Sequence, residues 1–357
     1  MPLPDLAGGL TAADLDATAD AVAANQLPDG LILWFPGGHA DPWNHVEAAM
    51  ALTVAGRRAE AEAGYQWLVA NQRPDGSWHQ YYLADGVKDA KLDTNVIAYV
   101  AAGTWHHYLA TGDAGFLETM WPVVERAVDF VLDLQAPGGE IVWARHADGT
   151  PWSFALLTGS SSVLHSLRCA IAIAEHLDHE RPDWELSAGS LRHAIVHVPG
   201  AFAPKDRWAM DWYYPVLSGA LTGAAARRRL AAGWDTFVLP DLGVRCVADR
   251  PWVTAAETCE CAIAHEAAGE PELARALFAW AHHLRDDDGS YWTGAVFPEA
   301  VHFPGGEKTS YTAAAVILAA DTLYGDNPTS GLFRDHTLPA GLDPDDVDDV
   351  DVEPTGP

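Results

Sequence analysis

Four carboxylates occupy sequence settings suited to acid/base chemistry: Asp41, Asp93, Glu257 and Glu307. Asp41 lies in Pro36-Gly37-Gly38-His39-Ala40-Asp41-Pro42-Trp43-Asn44-His45, where a glycine turn meets a helix start. Asp41 is placed as the N-cap and Pro42 as the first helical residue, so Trp43, Asn44 and His45 crowd the first turn and look out into a cleft. Asp93 opens Asp93-Thr94-Asn95 at another helix start. Glu257 and Glu260 fall in Ala255-Ala256-Glu257-Thr258-Cys259-Glu260, an apolar helix pattern after Arg250-Pro251-Trp252. Apolar and aromatic neighbours such as Trp252 and Cys261 keep a glutamate protonated. Acid/base cleavage takes one protonated carboxyl and one ionised carboxylate that activates water or attacks carbon. Asp41 with Glu257 is the expected pair, and Glu307 and Asp93 are its substitutes. The structural alternatives are a buried ion pair of Glu257 with Arg245 or Arg250, and capping alone for Asp41 and Asp93.

The elements that position these groups repeat. Gln26-Leu27-Pro28-Asp29-Gly30 closes one helix pattern and Gln72-Arg73-Pro74-Asp75-Gly76 another. Echoes follow at Gln135-Ala136-Pro137-Gly138-Gly139, Leu239-Pro240-Asp241-Leu242-Gly243 and Arg285-Asp286-Asp287-Asp288-Gly289, so the unit is helix, turn, short extended piece, helix. Periodicity and Gly/Pro punctuation predict helices near 11–25, 41–55, 58–71, 93–111, 116–134, 152–178, 184–197, 211–221, 223–233, 252–268, 271–285 and 308–324. Strand signals are short: 31–35, 139–144 and 244–247. The class is all-α, and six consecutive pairs close as an (α/α)6 toroid, a six-hairpin barrel with short loop hairpins. A single barrel domain over 1–335 and an acidic tail over 336–357, densest at Asp343 to Glu353, are expected.

With 50 Asp+Glu against 21 Lys+Arg, the formal net charge of −29 repels nucleic acid and anionic membranes and leaves neutral or cationic ligands. The N-terminus shows no signal-peptide pattern, and no long apolar run occurs. Four cysteines, Cys169, Cys246, Cys259 and Cys261, fit a reducing compartment, so a cytoplasmic protein is expected. No metal-ligand spacing is supported, and no cofactor is expected. The chain carries 15 Trp, 10 Tyr and 16 His. Aromatic platforms joined to carboxylates suit a sugar, whose ring face is apolar and whose rim is hydroxyl. The candidate binding residues are Trp34, Trp43, His45, Gln80, Tyr81, Trp105, Asp211, Trp212, Tyr213, Trp252 and Tyr311, all assigned to pair starts or loops at one end of the ring. For His45 a hydrogen-bonded packing role is the alternative.

Residues 36–135 resemble the glucoamylase-like glycoside hydrolases of the (α/α)6 class. The resemblance rests on Asp41, Gly56, Gln72-Arg73-Pro74-Asp75-Gly76, Gln80-Tyr81-Tyr82, Leu92-Asp93-Thr94-Asn95 and the helix pair from Trp105 to Ala127. Pro304-Gly305-Gly306-Glu307-Lys308-Thr309-Ser310-Tyr311 is similar to that group's glutamate loop before the last helix. The resemblance implies that Asp41 contacts the terminal sugar and that Glu307 is the catalytic base. It also implies inverting hydrolysis of α-glycosidic bonds; the cytoplasmic setting favours an intracellular oligosaccharide or polysaccharide, an α-glucan or α-mannan, and the Ala- and Asp-rich composition suits methylated forms of the actinobacterial kind. One departure matters: where the group carries its general acid in a Trp-Glu-Glu segment, this chain reads Pro151-Trp152-Ser153-Phe154-Ala155-Leu156, and Glu257 is the replacement. Two rival readings remain. A terpenoid cyclase or prenyltransferase-like barrel fits the Gln72 to Trp78 turn, although Asp-x-Asp-Asp occurs only at Asp343 to Asp346. A non-catalytic sugar-binding barrel fits the missing acid.

Overall fold

A computed structural model describes residues 10–342; the acidic stretch from Asp343 to Glu353 lies outside them. The described helices are α1 (Ala12–Ala23), α2 (Pro42–Val54), α3 (Arg58–Asn71), α4 (Thr94–Ala98), α5 (Val100–Thr111), α6 (Ala114–Leu132), α7 (Leu157–His176), α8 (Pro182–His197), α9 (Ala209–Leu217), α10 (Gly223–Phe237), α11 (Ala255–Ala267), α12 (Pro271–Ala281) and α13 (Ser310–Tyr324). Since α4 and α5 follow each other with only Tyr99 between them, they act as one rod, and the helices pair as six outer-to-inner hairpins. Inner helices contact in the order α2, α5, α7, α9, α11, α13, and α13 returns to α2, which closes the ring. Their sequences explain the closure. From Thr312 to Leu323 every residue of α13 is buried, and Ala48, Ala49 and Ala51 of α2 are fully buried. A helix that is apolar all round is stable only when surrounded, and alanines let neighbouring backbones approach. The outer helices α6 and α12 bury one stripe each.

The repeated turns clamp one hairpin to the next. Gln26 Nε2 donates to its own turn at Gly30 O (3.0 Å) and across to Glu60 O of α3 (2.8 Å). Gln72 does the same to Gly76 O (3.0 Å) and Val123 O of α6 (2.8 Å), and Gln135 to Gly139 O (2.9 Å) and Ser187 O of α8 (3.0 Å). The glycine is obligatory where it stands. At Gly76 φ is +89° and a Cβ would meet Arg126 O at 2.1 Å, while at Gly139 φ is +94° and a Cβ would meet Ser190 O at 2.3 Å.

Two helix starts differ from the sequence expectation. The helix predicted from 152 begins at Leu157, because Ala155 bridges to Val142 and Phe202, and the one predicted from 252 begins at Ala255. The residues withheld from helix join small sheets on the loops. Strands β1 (Tyr81–Leu83) and β2 (Gly86–Asp89) form a hairpin, and β3 (Leu92–Asp93) pairs with β4 (Ala144–Arg145). Then β5 (Val238–Leu239), β6 (Gly243–Arg245), β7 (Trp252–Thr254), β8 (Gly294–Val296) and β9 (Val301–Phe303) form an antiparallel meander in that order, no strand of it longer than three residues. This meander ties the loops before α11 and α13 into one rigid plate beside the barrel mouth. The expected strand at 31–35 survives only as a bridge of Ile32 to Gln26. Residues 336–342 also pack: Arg168 donates to Leu338 O (2.6 Å) and Pro339 O (2.7 Å), and Leu342 N to Glu185 O (3.0 Å).

Candidate active site

The N-termini of all six inner helices point to one end of the ring, and Asp41 sits there. As the N-cap of α2 it accepts from Asn44 N (3.0 Å) and Asn44 Nδ2 (2.6 Å) and from Trp34 Nε1 (2.8 Å). Burial raises its pKa and these donors oppose the rise. Each partner is an N–H group with nothing to accept a carboxyl proton, and the helix N-terminus favours negative charge, so the hydrogen-bond set is built for the ionised form. Beside it opens a cavity of about 310 Å³. Its aromatic wall is Trp34, Trp43, Trp208, Phe303 and Tyr311, and its acidic groups are Glu47, Glu257 and Glu260. Asp41 is 2% exposed and is hydrogen-bonded to Trp34 and Asn44, which line the cavity.

Glu257 lies in the first turn of α11 and takes a hydrogen bond from Thr254 Oγ1. Burial raises its pKa. It forms no ion pair with Arg245, whose guanidinium donates to Thr236 O and Ala248 O. Glu260 is one turn deeper on the same face and accepts from Tyr213 and Tyr214, the latter at 2.7 Å. Burial pushes it up to about 7. Glu47 accepts from Trp43 Nε1 (3.0 Å) and Tyr99 Oη (3.3 Å), and burial, then Glu260, then Asp41 raise it well above the usual range. Tyr311 stands within electrostatic reach of Glu257, Glu307 and Asp41. Glu307 is half-buried in the loop after β9, next to Pro304 at the mouth.

The remaining sequence candidates separate. Tyr81 packs edge-on to Trp34 at 6.0 Å and is influenced by Asp41 and Asp93, so it adjoins the site, as does Gln80, whose buried Oε1 has no partner among the described residues. Asp93 caps α4 at Asn95 N (3.1 Å) and Val96 N (3.3 Å), and burial pushes it up to about 6. Trp252 stacks behind Phe303 at 5.0 Å and supports the cavity wall.

Five candidates are placed elsewhere than expected. His45 is packed into the core: Nδ1 accepts from Ile32 N (3.0 Å), Nε2 meets Gly64 O (2.9 Å), and burial brings its pKa down to about 4. Trp105 lies in the later half of the α4–α5 rod, so it lines a separate cavity with His176 and Leu338 at the opposite end of the barrel. Asp211 and Trp212 turn outward from α9 into a groove of about 350 Å³ with Arg229 and Phe202, where Thr158 donates to Asp211 and Trp212 Nε1 donates to Arg229 O (2.9 Å). Tyr213 is fully buried and serves the cavity through Glu260.

Glu47, Trp208 and the importance of Glu260 were missed. The signal for Glu47 was present, because it is the one charged residue in the run from Val46 to Leu52, every member of which is buried. Trp208 had no helical periodicity to mark it. Among the described residues no group of three or more His, Cys, Asp and Glu is placed to hold a metal ion, and no helix is long and apolar enough to cross a membrane.

A closed ring of six helical hairpins with carboxyl groups and tryptophans gathered at one end is the architecture of a helical-barrel glycoside hydrolase. Solved structures share that fold. A wild-type glycosidase matches with a TM-score of 0.69 at 15% identity, over 88% of this chain and 99% of that one. A GH63 mannosylglycerate hydrolase from Thermus thermophilus matches with a TM-score of 0.66 at 13% identity, over 85% of this chain and 99% of that one. No protein-family model matches the chain. It is, however, 53% identical over 341 residues, 96% of this chain and 94% of the relative, to an MMP endo-(1,4)-3-O-methyl-alpha-D-mannosidase of Mycolicibacterium hassiacum, and it belongs to that enzyme's glycoside-hydrolase family. The terpenoid and non-catalytic readings are thereby set aside.

Proposed function

We propose that this chain cleaves α-(1,4) bonds inside chains of 3-O-methyl-D-mannose by an inverting, two-carboxylate mechanism. Glu257 is the general acid: it lines the cavity, and burial favours its protonated form. Asp41 is the general base, its charge favoured by three N–H donors and the start of α2. Water attacks the anomeric carbon as Asp41 takes its proton, while Glu257 gives its proton to the departing sugar oxygen. The proton balance is restored by exchange with solvent after products leave. Glu307, at the mouth, is the substitute base, because Tyr311 feels it together with Asp41 and Glu257.

The observation that carries the reading is the 310 Å³ cavity itself, where a tryptophan-rich wall meets three carboxyl groups. Apolar walls suit a sugar whose hydroxyls are partly methylated, and the net charge of −29 suits a neutral polymer. Four free, buried thiols fit the reducing interior of a cell and hence a cytoplasmic setting. The test is incubation with 3-O-methylated and unmethylated α-(1,4)-mannans and an α-glucan, read by mass spectrometry. Internal fragments from the methylated mannan are expected. Release of single sugars alone would remove the endo assignment, and cleavage of the glucan alone would remove the substrate.

A further inference from the structure

Glu47 and Glu260 have no part in the acid/base step above, yet both line the floor of the substrate cavity and also a second void of about 30 Å³ deeper on the ring axis. Ala315 is shared as well, so these three residues form the partition between the two spaces. Neither carboxyl has a cationic partner among the described residues. Glu47 accepts from Trp43 and Tyr99, and Glu260 from Tyr213 and Tyr214. Two buried carboxyls that feel each other without a neighbouring cation do not both ionise, and they titrate as a unit. With one proton between them, the pair presents a donor beside an acceptor. An ether oxygen next to a free hydroxyl is the complement of that arrangement, since the ether only accepts and the hydroxyl can donate. Beyond the partition, Leu217, Ile263, Leu318 and Phe333 give the void an apolar side, and its size admits one methyl group or one water. Ser162 and His165, whose Oγ and Nε2 have no hydrogen-bond partner among the described residues, also line it.

We propose that Glu47 and Glu260 recognise an O-methyl ether beside a free hydroxyl on the substrate sugar. The protonated carboxyl donates to the ether oxygen, the ionised one accepts from the hydroxyl, and the methyl group enters the void. This rests on the substrate reading above and deepens it, because the pair and the void then set the preference for methylated over unmethylated mannan.

The experiment compares kcat/KM on a 3-O-methylated α-(1,4)-mannan oligosaccharide with that on its unmethylated counterpart of equal length. Wild type, Leu318→Phe, Glu47→Gln and Glu260→Gln are measured, with folding checked by circular dichroism. Leu318 lines the inner void and not the substrate cavity. One methyl group in an apolar pocket discriminates roughly 10- to 200-fold, so the wild-type ratio should fall in that range. Filling the void in Leu318→Phe should lower it about 10-fold or more, and each Gln variant should lower it too. An unchanged ratio in folded Leu318→Phe would mean that the void serves packing or water alone, which overturns the proposal. If Leu318→Phe does not fold, Leu318→Ala decides: the enlarged void should admit a 3-O-ethyl substrate, and no gain overturns the proposal. Wild type cutting both mannans equally overturns this inference and leaves the hydrolase reading standing. Wild type cutting neither removes the substrate reading on which it rests.

Discussion

Replacing Glu257 by Gln separates the proposed acid function from the side chain's surroundings. The amide keeps the volume, and its carbonyl oxygen still accepts from Thr254 Oγ1, so the first turn of α11 is undisturbed. What disappears is the proton. Loss of a positioned general acid costs about 10²- to 10⁴-fold in rate, which is about 2.7 to 5.4 kcal/mol of barrier. The structure also assigns the direction of a second effect. Glu257 contributes to raising Glu260, so its neutral replacement should let Glu260 ionise at lower pH. The assay is kcat/KM on the methylated mannan and on an aryl glycoside whose leaving group departs without protonation. Glu257→Gln should lose at least about 10²-fold on the mannan and much less on the aryl glycoside. Asp41→Asn should lose comparably on both, because water must be activated whatever leaves. Equal losses for Glu257→Gln on both substrates would refute its role as acid, and near-wild-type hydrolysis by both variants would retire the pair.

Glu260 has a folded-state pKa of about 7 against an ordinary 4.5. A raised carboxyl contributes stability that is complete below its unfolded pKa and lost as pH rises through the folded one. Tm should therefore fall between about pH 4.5 and 7, and Glu260→Gln should flatten that fall; an unaltered slope would count against the proton-sharing pair. His45→Ala leaves the buried Ile32 N–H and Gly64 carbonyl without their partner. A cost of about 2–4 kcal/mol is expected in chemical denaturation, and a raised KM with intact stability would return His45 to substrate binding.

The ring was legible because its signals are local. Gln26, Gln72 and Gln135 recur with their glycines, and each clamps its turn to the next outer helix. Asp41 was legible for the same reason: an aspartate before a proline announces a cap. Which side of a helix faces the cavity is a tertiary matter. Trp212 sits near the cavity end of α9, but Gly233 on α10 leaves a hollow that its indole fills, so it points away. Trp105 was assigned to a pair start because its rod reads as one long helix with little contrast between faces, and only the packing of α5 shows how far along it stands. Of the meander β5–β9 only β6 was legible, in the strand signal at 244–247, because two- and three-residue strands carry little alternation. Glu47 needed the opposite habit of reading, in which one charge within an apolar run is taken as a functional mark.

The most direct test of the central claim is proton NMR of the first products from 3-O-methylated α-(1,4)-mannan, recorded before mutarotation. Asp41 and Glu257 acting on opposite faces of the sugar should release new reducing ends as the β-anomer, with the α-anomer growing in later. The α-anomer appearing first would contradict inversion, and with it the assignment of Asp41 as the base that activates water.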